Sequence, residues 1–244
     1  MNNLLEFIPK IEVANNVEKF MDILTDSLSG IFGFIQDEGQ DVMDAITNFL
    51  IAIPSVLFIV IVALLAFFAT GKRFGLAVFS IIGLFFIYNQ GLWEQLMNTF
   101  TLVLFSSLIA IIIGIPMGIL MSKSKIMEEV TKPILDFMQT MPGFVYLIPA
   151  VAFFGIGVVP GVFASVIFAL PPTVRFTNLG IRQVPKHLIE AADSYGSTFS
   201  QKLFKVELPL AKSTIMAGIN QTVLLSLSMV VIASMIGAPG LGRE

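Results

Sequence analysis

Val13, Val17, Phe20, Met21, Leu24, Leu28, Ile31, Phe32 and Ile35 recur at three- and four-residue steps, and Val42, Met43, Ile46 and Phe49 continue the series. That spacing is the period of one helical face, so the first segment, 1–48, predicts amphipathic helices. The pattern then changes. Phe49–Ala69 is 21 residues without a charge, closed by Lys72 and Arg73. At 1.5 Å per residue it would cross a hydrocarbon layer of roughly 30 Å. Phe74–Leu92 is a second such run, ending at Trp93 and Glu94, and Thr99–Met121 a third, followed by Lys123, Lys125 and Lys132. A fourth, from about Pro133 to Gly155, is interrupted by Pro142, Gly143 and Pro149. A shorter one, Gly161–Val174, ends at Pro171, Pro172 and Arg175. After a polar connection, 175–212, the last run spans Ser213–Ile236 and closes in Gly237-Ala238-Pro239-Gly240-Leu241-Gly242. The expectation is an all-α integral membrane protein with about six spans in a domain over 49–244.

Composition agrees: 56% of the 244 residues are hydrophobic and 13% charged, about half the charge of an average soluble domain, which carries roughly 25%. An ordinary soluble globule is excluded. No extended basic face of the kind that binds nucleic acid exists: the net charge is −3 and the basic residues stand in short groups. Cysteine is absent and His187 is the single histidine, which argues against a metal or thiol centre in this chain. Residues 1–48 hold nine acidic against two basic residues, a local charge of −7, whereas the remainder is +4. With the N-terminus outside, every basic cluster falls on the cytoplasmic side, as the positive-inside tendency requires. An acidic amphipathic segment suits packing on protein or the outer leaflet better than anionic lipid.

The spans carry little candidate chemistry. Asp136 is the one carboxylate within them, near a cytoplasmic end, where Lys132 one turn back is its expected partner. There is no HExxH motif and no TVGYG filter. Pro142 and Gly143 free backbone carbonyls at membrane depth, which is tolerated where a cavity is lined. Met141, Pro142, Phe144 and Tyr146 are therefore candidates for a translocation path, against the plainer reading of a kink buried between helices. Asn220 and Gln221, polar in the last span, are expected to face the interior and bond between helices. Gly114-x-x-x-Gly118 and Gly157-x-x-x-Gly161 are candidates for close packing. The 23 Phe are spread over every span, and one Trp and three Tyr form no cluster in sequence. The sequence thus offers no gathered aromatic cage of the kind that holds a cation tightly.

In the polar connection, Glu190-Ala191-Ala192-Asp193-Ser194-Tyr195-Gly196 reads as a helix and a glycine break. A second amphipathic helix, Phe199–Val206, would be stopped at Pro209. Such a pair would fill a groove on a partner protein. From Glu190 to Pro209, with Val206-Glu207-Leu208-Pro209 after nine intervening residues, the pattern resembles the EAA-x3-G-x9-I-x-L-P signature of permease subunits of binding-protein-dependent ABC importers. Val206 stands where that family usually has Ile. The resemblance implies that this loop forms coupling helices seated in a cleft of an ATP-binding subunit. Glu190, Ala191, Ala192 and Gly196 carry over directly, Leu208 and Pro209 close the motif, and Asp193 and Tyr195 lie at its variable positions. No GxxxxGK[ST] segment occurs, so ATP and Mg would bind to another polypeptide.

The stretches from Asp136 to Gly157, Ala169–Arg175, Asn178–Gln183 and Ile236–Gly242 look like the glycine betaine/proline betaine class, over about residues 90–242. This implies a type I importer permease fold and import of compatible solutes under osmotic stress across a bacterial cell membrane. The implied partners are two ATPase subunits, a second copy of this chain, and an extracellular binding protein or fused binding domain. Permeases of this kind continue past the GAPGLG element, so a chain cut short at its C-terminus is expected. Choline, carnitine or another small solute would fit the same motifs. An ion-coupled carrier, an osmotic channel or a membrane scaffold would leave the EAA match unexplained.

Overall fold

A computed structural model describes residues 13–243; the first twelve residues of the acidic segment and Glu244 lie outside the described residues. The chain is helical. α1 is a single 40-residue helix, Val13–Ala52, that runs through residue 48 without a break. α2 spans Ser55–Ala69, α3 Phe74–Asn89, α4 Trp93–Lys123, α5 Lys125–Thr140, α6 Leu147–Phe154 and α7 Val158–Arg182. α8 is Lys186–Ser194 and α9 Phe199–Lys202, after which a π-helical turn, Leu203–Glu207, leads into α10, Leu208–Ala233. Among the described residues, three helices are long and apolar enough to cross a membrane alone, and five if each of two bent pairs is one span.

The expected straight span Phe49–Ala69 is broken. Pro54 has no N–H to continue the ladder of α1 and disfavours α geometry at Ile53, and α1 meets α2 at 94°. Only the 15 residues of α2 run in the new direction, paired with the 16 of α3. Likewise the fourth apolar run is bent by 109° between α5 and the Gly143–Phe154 piece.

Two expected ends are overridden. α7 continues through Pro171 and Pro172 to Arg182, so Arg175 lies inside a helix. Pro171 and Pro172 withhold the N–H groups that the Ile167 and Phe168 carbonyls would accept, and α7 runs on because it is enclosed by neighbouring helices. Just beyond those carbonyls the Thr222 hydroxyl donates to the Ala169 carbonyl at 2.9 Å. That hydroxyl has one proton, so Thr173, 2.7 Å away, donates to Thr222. Pro209 does not stop the second loop helix either. Phe199–Ile236 is one 38-residue helix, because the π turn just before Pro209 relieves the clash a regular turn would impose.

α7 is the central element, packed between α4 and α10. Gly114 and Gly118 of α4 form the expected close-packing pair. A Cβ on Gly118 would stand 2.5 Å from Thr177 Cβ and 2.7 Å from the Val174 carbonyl oxygen. Gly218 and Gly180 do the same between α7 and α10. Gly157, by contrast, caps α7 with φ +146° rather than packing there, while Gly161 lies against Ala233. At one end, here the head, Met43 of α1 packs with Leu102, Val158, Val230 and Ala238, and Thr47 bonds Thr101 at 3.0 Å. Trp93 stands edge-on to Phe58 and Tyr88, which sets the near ends of α2 and α3 at the head. The opposite end, the foot, gathers the last turn of α4, the first of α5, the end of α7, and α8 with α9.

Candidate functional site

α8 is a short, well-terminated helix with no residue buried. Its end is a Schellman turn: Gly196 N–H donates to Asp193 O at 2.9 Å and Ser197 N–H to Ala192 O at 3.1 Å. Gly196 takes φ +72°, a left-handed conformation that favours glycine. Thr198 then opens α9 with a capping box closed by Gln201. Glycine at this point of the motif is therefore set by backbone geometry.

Of the expected coupling residues, Glu190, Ala191, Asp193, Tyr195 and Gly196 are exposed and Ala192 is half-buried. Tyr195 is 91% exposed, and Phe199 and Phe204 also stand out of the foot. Leu208 is half-buried and Pro209 exposed at the start of α10. The surface is thus an uncovered helix flanked by projecting aromatic rings.

Beneath it lies a set of ion pairs that sequence reasoning missed, most of them between residues distant in the chain. Asp193 meets Lys202 at 2.7 Å. Lys123, at the end of α4, pairs with the buried carboxylate of Glu207 in the π turn and lies 5.7 Å from the Phe199 ring centroid. Arg182 reaches Glu128 at 2.5 Å and bonds Asn178 at 2.9 Å. Lys132 pairs with Glu128 at 2.6 Å, not with Asp136 as expected; Asp136 instead meets Arg175 of α7 at 2.5 Å. The Lys132 hydrogen bond, with Arg182 and Asn178 beside it, outweighs partial desolvation and holds the Glu128 carboxyl below its ordinary value. Glu128 lies in the polar first turn of α5, ahead of the apolar stretch.

The candidate path residues are not gathered into one site. Tyr146 is buried against Ala164 and Met229, and its hydroxyl donates to Met138 O at 2.6 Å. Met138 O is the carbonyl four residues before Pro142, the one that proline leaves without an N–H. Tyr146 repairs the kink, which is a structural role. Met141 is half-buried, whereas Pro142 and Phe144 are exposed. Asn220 and Gln221 do not face the interior: both lie on the exposed face of α10, since glycine and hydroxyl positions of that helix take the seam with α7. A cavity of about 700 Å³ between α1, α4 and α7 is lined by apolar side chains with Glu38 the one charge, unsuited to a zwitterion.

Residues 110–244, the foot included, match the sequence model of the binding-protein-dependent transport system inner membrane component. The chain belongs to this family of ABC permease components. Similarity extends further along the chain. It is 58% identical over 239 residues to the glycine betaine/carnitine transport permease protein of Listeria monocytogenes, covering 97% of this chain and 84% of the relative. It is 50% identical over 240 residues to the glycine betaine transport system permease protein of Bacillus subtilis, covering 98% and 84%. Among solved structures, an inward-facing methionine ABC transporter matches with TM-score 0.58 at 22% identity, over 62% of this chain and 77% of that one. That likeness shows the fold. As an inner membrane component, this ABC permease is a multi-pass membrane protein, and its family works with ATPase and substrate-binding partners.

Proposed function

We propose that this permease carries glycine betaine or a related quaternary ammonium solute into a bacterial cell, driven by ATP hydrolysed on separate subunits that also hold the Mg. The observation that carries the reading is the exposed, rigidly terminated α8 bearing Glu190-Ala191-Ala192 and Gly196, in a chain whose relatives are named for glycine betaine transport. The foot is cytoplasmic and the acidic N-terminal helix extracellular, in keeping with the basic residues of the foot. Two copies of the chain seat their α8 helices on two ATP-binding subunits. ATP-driven closure pushes on α8 and turns the pathway outward, where a binding protein or fused binding domain delivers the solute. Binding strength resides on that delivering domain, and the uncovered faces of α10, with Asn220 and Gln221, and of Phe144 line the passage between copies.

The test is purification of the subunit from native membrane in mild detergent, followed by reconstitution of whatever co-purifies. A stoichiometric ATP-binding chain, with ATP-dependent uptake of labelled glycine betaine, is the expected outcome. A subunit that purifies alone, with uptake that survives ATP depletion, would overturn it. Competition by carnitine, choline and proline betaine ranks the solutes.

A further inference from the structure

We propose that two ion pairs, Asp193–Lys202 and Lys123–Glu207, form a two-link yoke that ties α8 to the end of α4. These four are positioning residues for transport; the inference rests on the coupling role of α8 proposed above.

The need for a yoke follows from what α8 lacks. No residue of α8 is fully buried and its apolar side chains Leu188, Ile189 and Ala192 are only half-buried, so apolar packing gives it little grip with which to transmit a push. Covalently it is joined to α7 by Gln183–Pro185 and to α9 through Gly196, a pivot with φ +72°. A helix hung on two short connections would rotate under load rather than move its neighbours. Asp193 closes the second connection: it sits one turn before the glycine and bonds Lys202, the last residue of α9, at 2.7 Å. α9 is continuous with the π turn, whose last residue is Glu207. The wider π turn, closed by Leu208 N–H to Leu203 O, accompanies an inward Glu207 whose side chain is 2% exposed. There it meets Lys123, which also covers the Phe199 ring. The links therefore run α8, α9, π turn, α4, and α4 is locked on α7 by Gly114 and Gly118. Displacement of α8 reaches the central helix through a stiff path.

Stability alone explains this arrangement poorly. An exposed pair such as Asp193–Lys202 contributes little to folding, and a buried pair is often no better than apolar residues of the same size. What the pairs supply is a fixed, directional geometry at two junctions, α8 with α9 and the π turn with α4, where apolar packing alone sets no direction.

The test uses the full transporter in proteoliposomes and reads solute taken up per ATP hydrolysed, alongside thermal melting. Asp193→Asn and Lys202→Gln should each lower uptake per ATP about fivefold while melting stays as in the wild type, and the double variant should fall no further. The reversed pair, Asp193→Lys with Lys202→Asp, should recover most of it. Lys123→Met with Glu207→Met, which keeps the foot packed, should lower the ratio about tenfold with assembly intact. Wild-type ratios in both sets would overturn the yoke. Should the methionine pair fail to assemble, the exposed pair decides, because its loss leaves the core untouched. A wild-type transporter that moves solute without consuming ATP would sink the coupling reading itself, whereas wild-type coupling with unaffected variants sinks the yoke alone.

Discussion

The seam around α7 and the foot beneath it are neighbours held together by opposite means. In the seam, glycines let helix backbones approach until a single added carbon would collide with Thr173, Thr177 or Phe176. Its polar atoms are hydroxyls, and Thr173, Thr222 and the Ala169 carbonyl satisfy one another inside it. At the foot, long charged side chains bridge between elements beside the apolar cluster of Ile181, Leu203 and Ala211. Close packing has one arrangement and resists deformation, whereas ion pairs near water are weak singly and directional. The lesson is a division of means: α4, α7 and α10 are interlocked by backbone contact, and the foot is held by directional charge.

The largest predicted effect breaks the seam. Gly118→Leu drives a side chain into Thr177 and the Val174 carbonyl, which as backbone cannot give way. A destabilisation of about 3 kcal/mol is expected, seen as lost yield and a lowered melting temperature in detergent. A variant melting like the wild type would refute the tight seam.

Gly196→Pro acts on the foot alone. Proline cannot take φ +72° and removes the N–H that bonds Asp193 O. Uptake should drop about tenfold with melting little changed, because α8 buries no residue. Equal losses of melting and uptake would erase the contrast between the regions.

A smaller effect sharpens the account of the kink. Tyr146→Phe leaves Met138 O without its hydroxyl donor in a buried setting, which costs about 1–2 kcal/mol and should lower melting while solute selectivity is unchanged. Altered selectivity would return Tyr146 to the pathway.

The smallest effect concerns acid. The Glu128 carboxyl is held below its ordinary value of 4.5. Its contacts with Lys132 and Arg182 therefore favour the folded foot above that value and fade as pH falls through the lowered one. Glu128→Gln should flatten this acid limb, read by hydrogen exchange of the first turn of α5. An unchanged acid limb would assign it to another carboxylate.

Much of this contrast was legible in the sequence, for definable reasons. Apolar runs mark helices in a membrane, and the Glu190–Gly196 motif marks α8, because both signals are local and periodic. Gly114 and Gly118 show the spacing of one helix face. The failures lie where distant residues repair a local fault. Pro171, Pro172 and Pro209 read as stops, yet the enclosure of α7 by its neighbours and a π turn keep those helices running. Asp136 has Lys132 one turn away but is bonded by Arg175, 39 residues on. Asn220 and Gln221 read as interior because polar groups avoid lipid, but within one chain that face of α10 is uncovered. Nothing local marks Glu207 as buried or Lys123 as its partner.

The hairpin of α2 and α3 has a consequence for the lipid around it. Its arms of 15 and 16 residues reach about 22–24 Å at the rise of an α-helix, short of a hydrocarbon layer of roughly 30 Å. Both arms show apolar faces such as Leu65, Phe68, Phe79 and Phe86 outward, so lipid tails must meet them directly. The surrounding bilayer has to dimple, at a cost of some fraction of a kcal/mol per Å. Acyl-chain length thereby becomes a local condition on this flank, which will settle most readily where the membrane is thin.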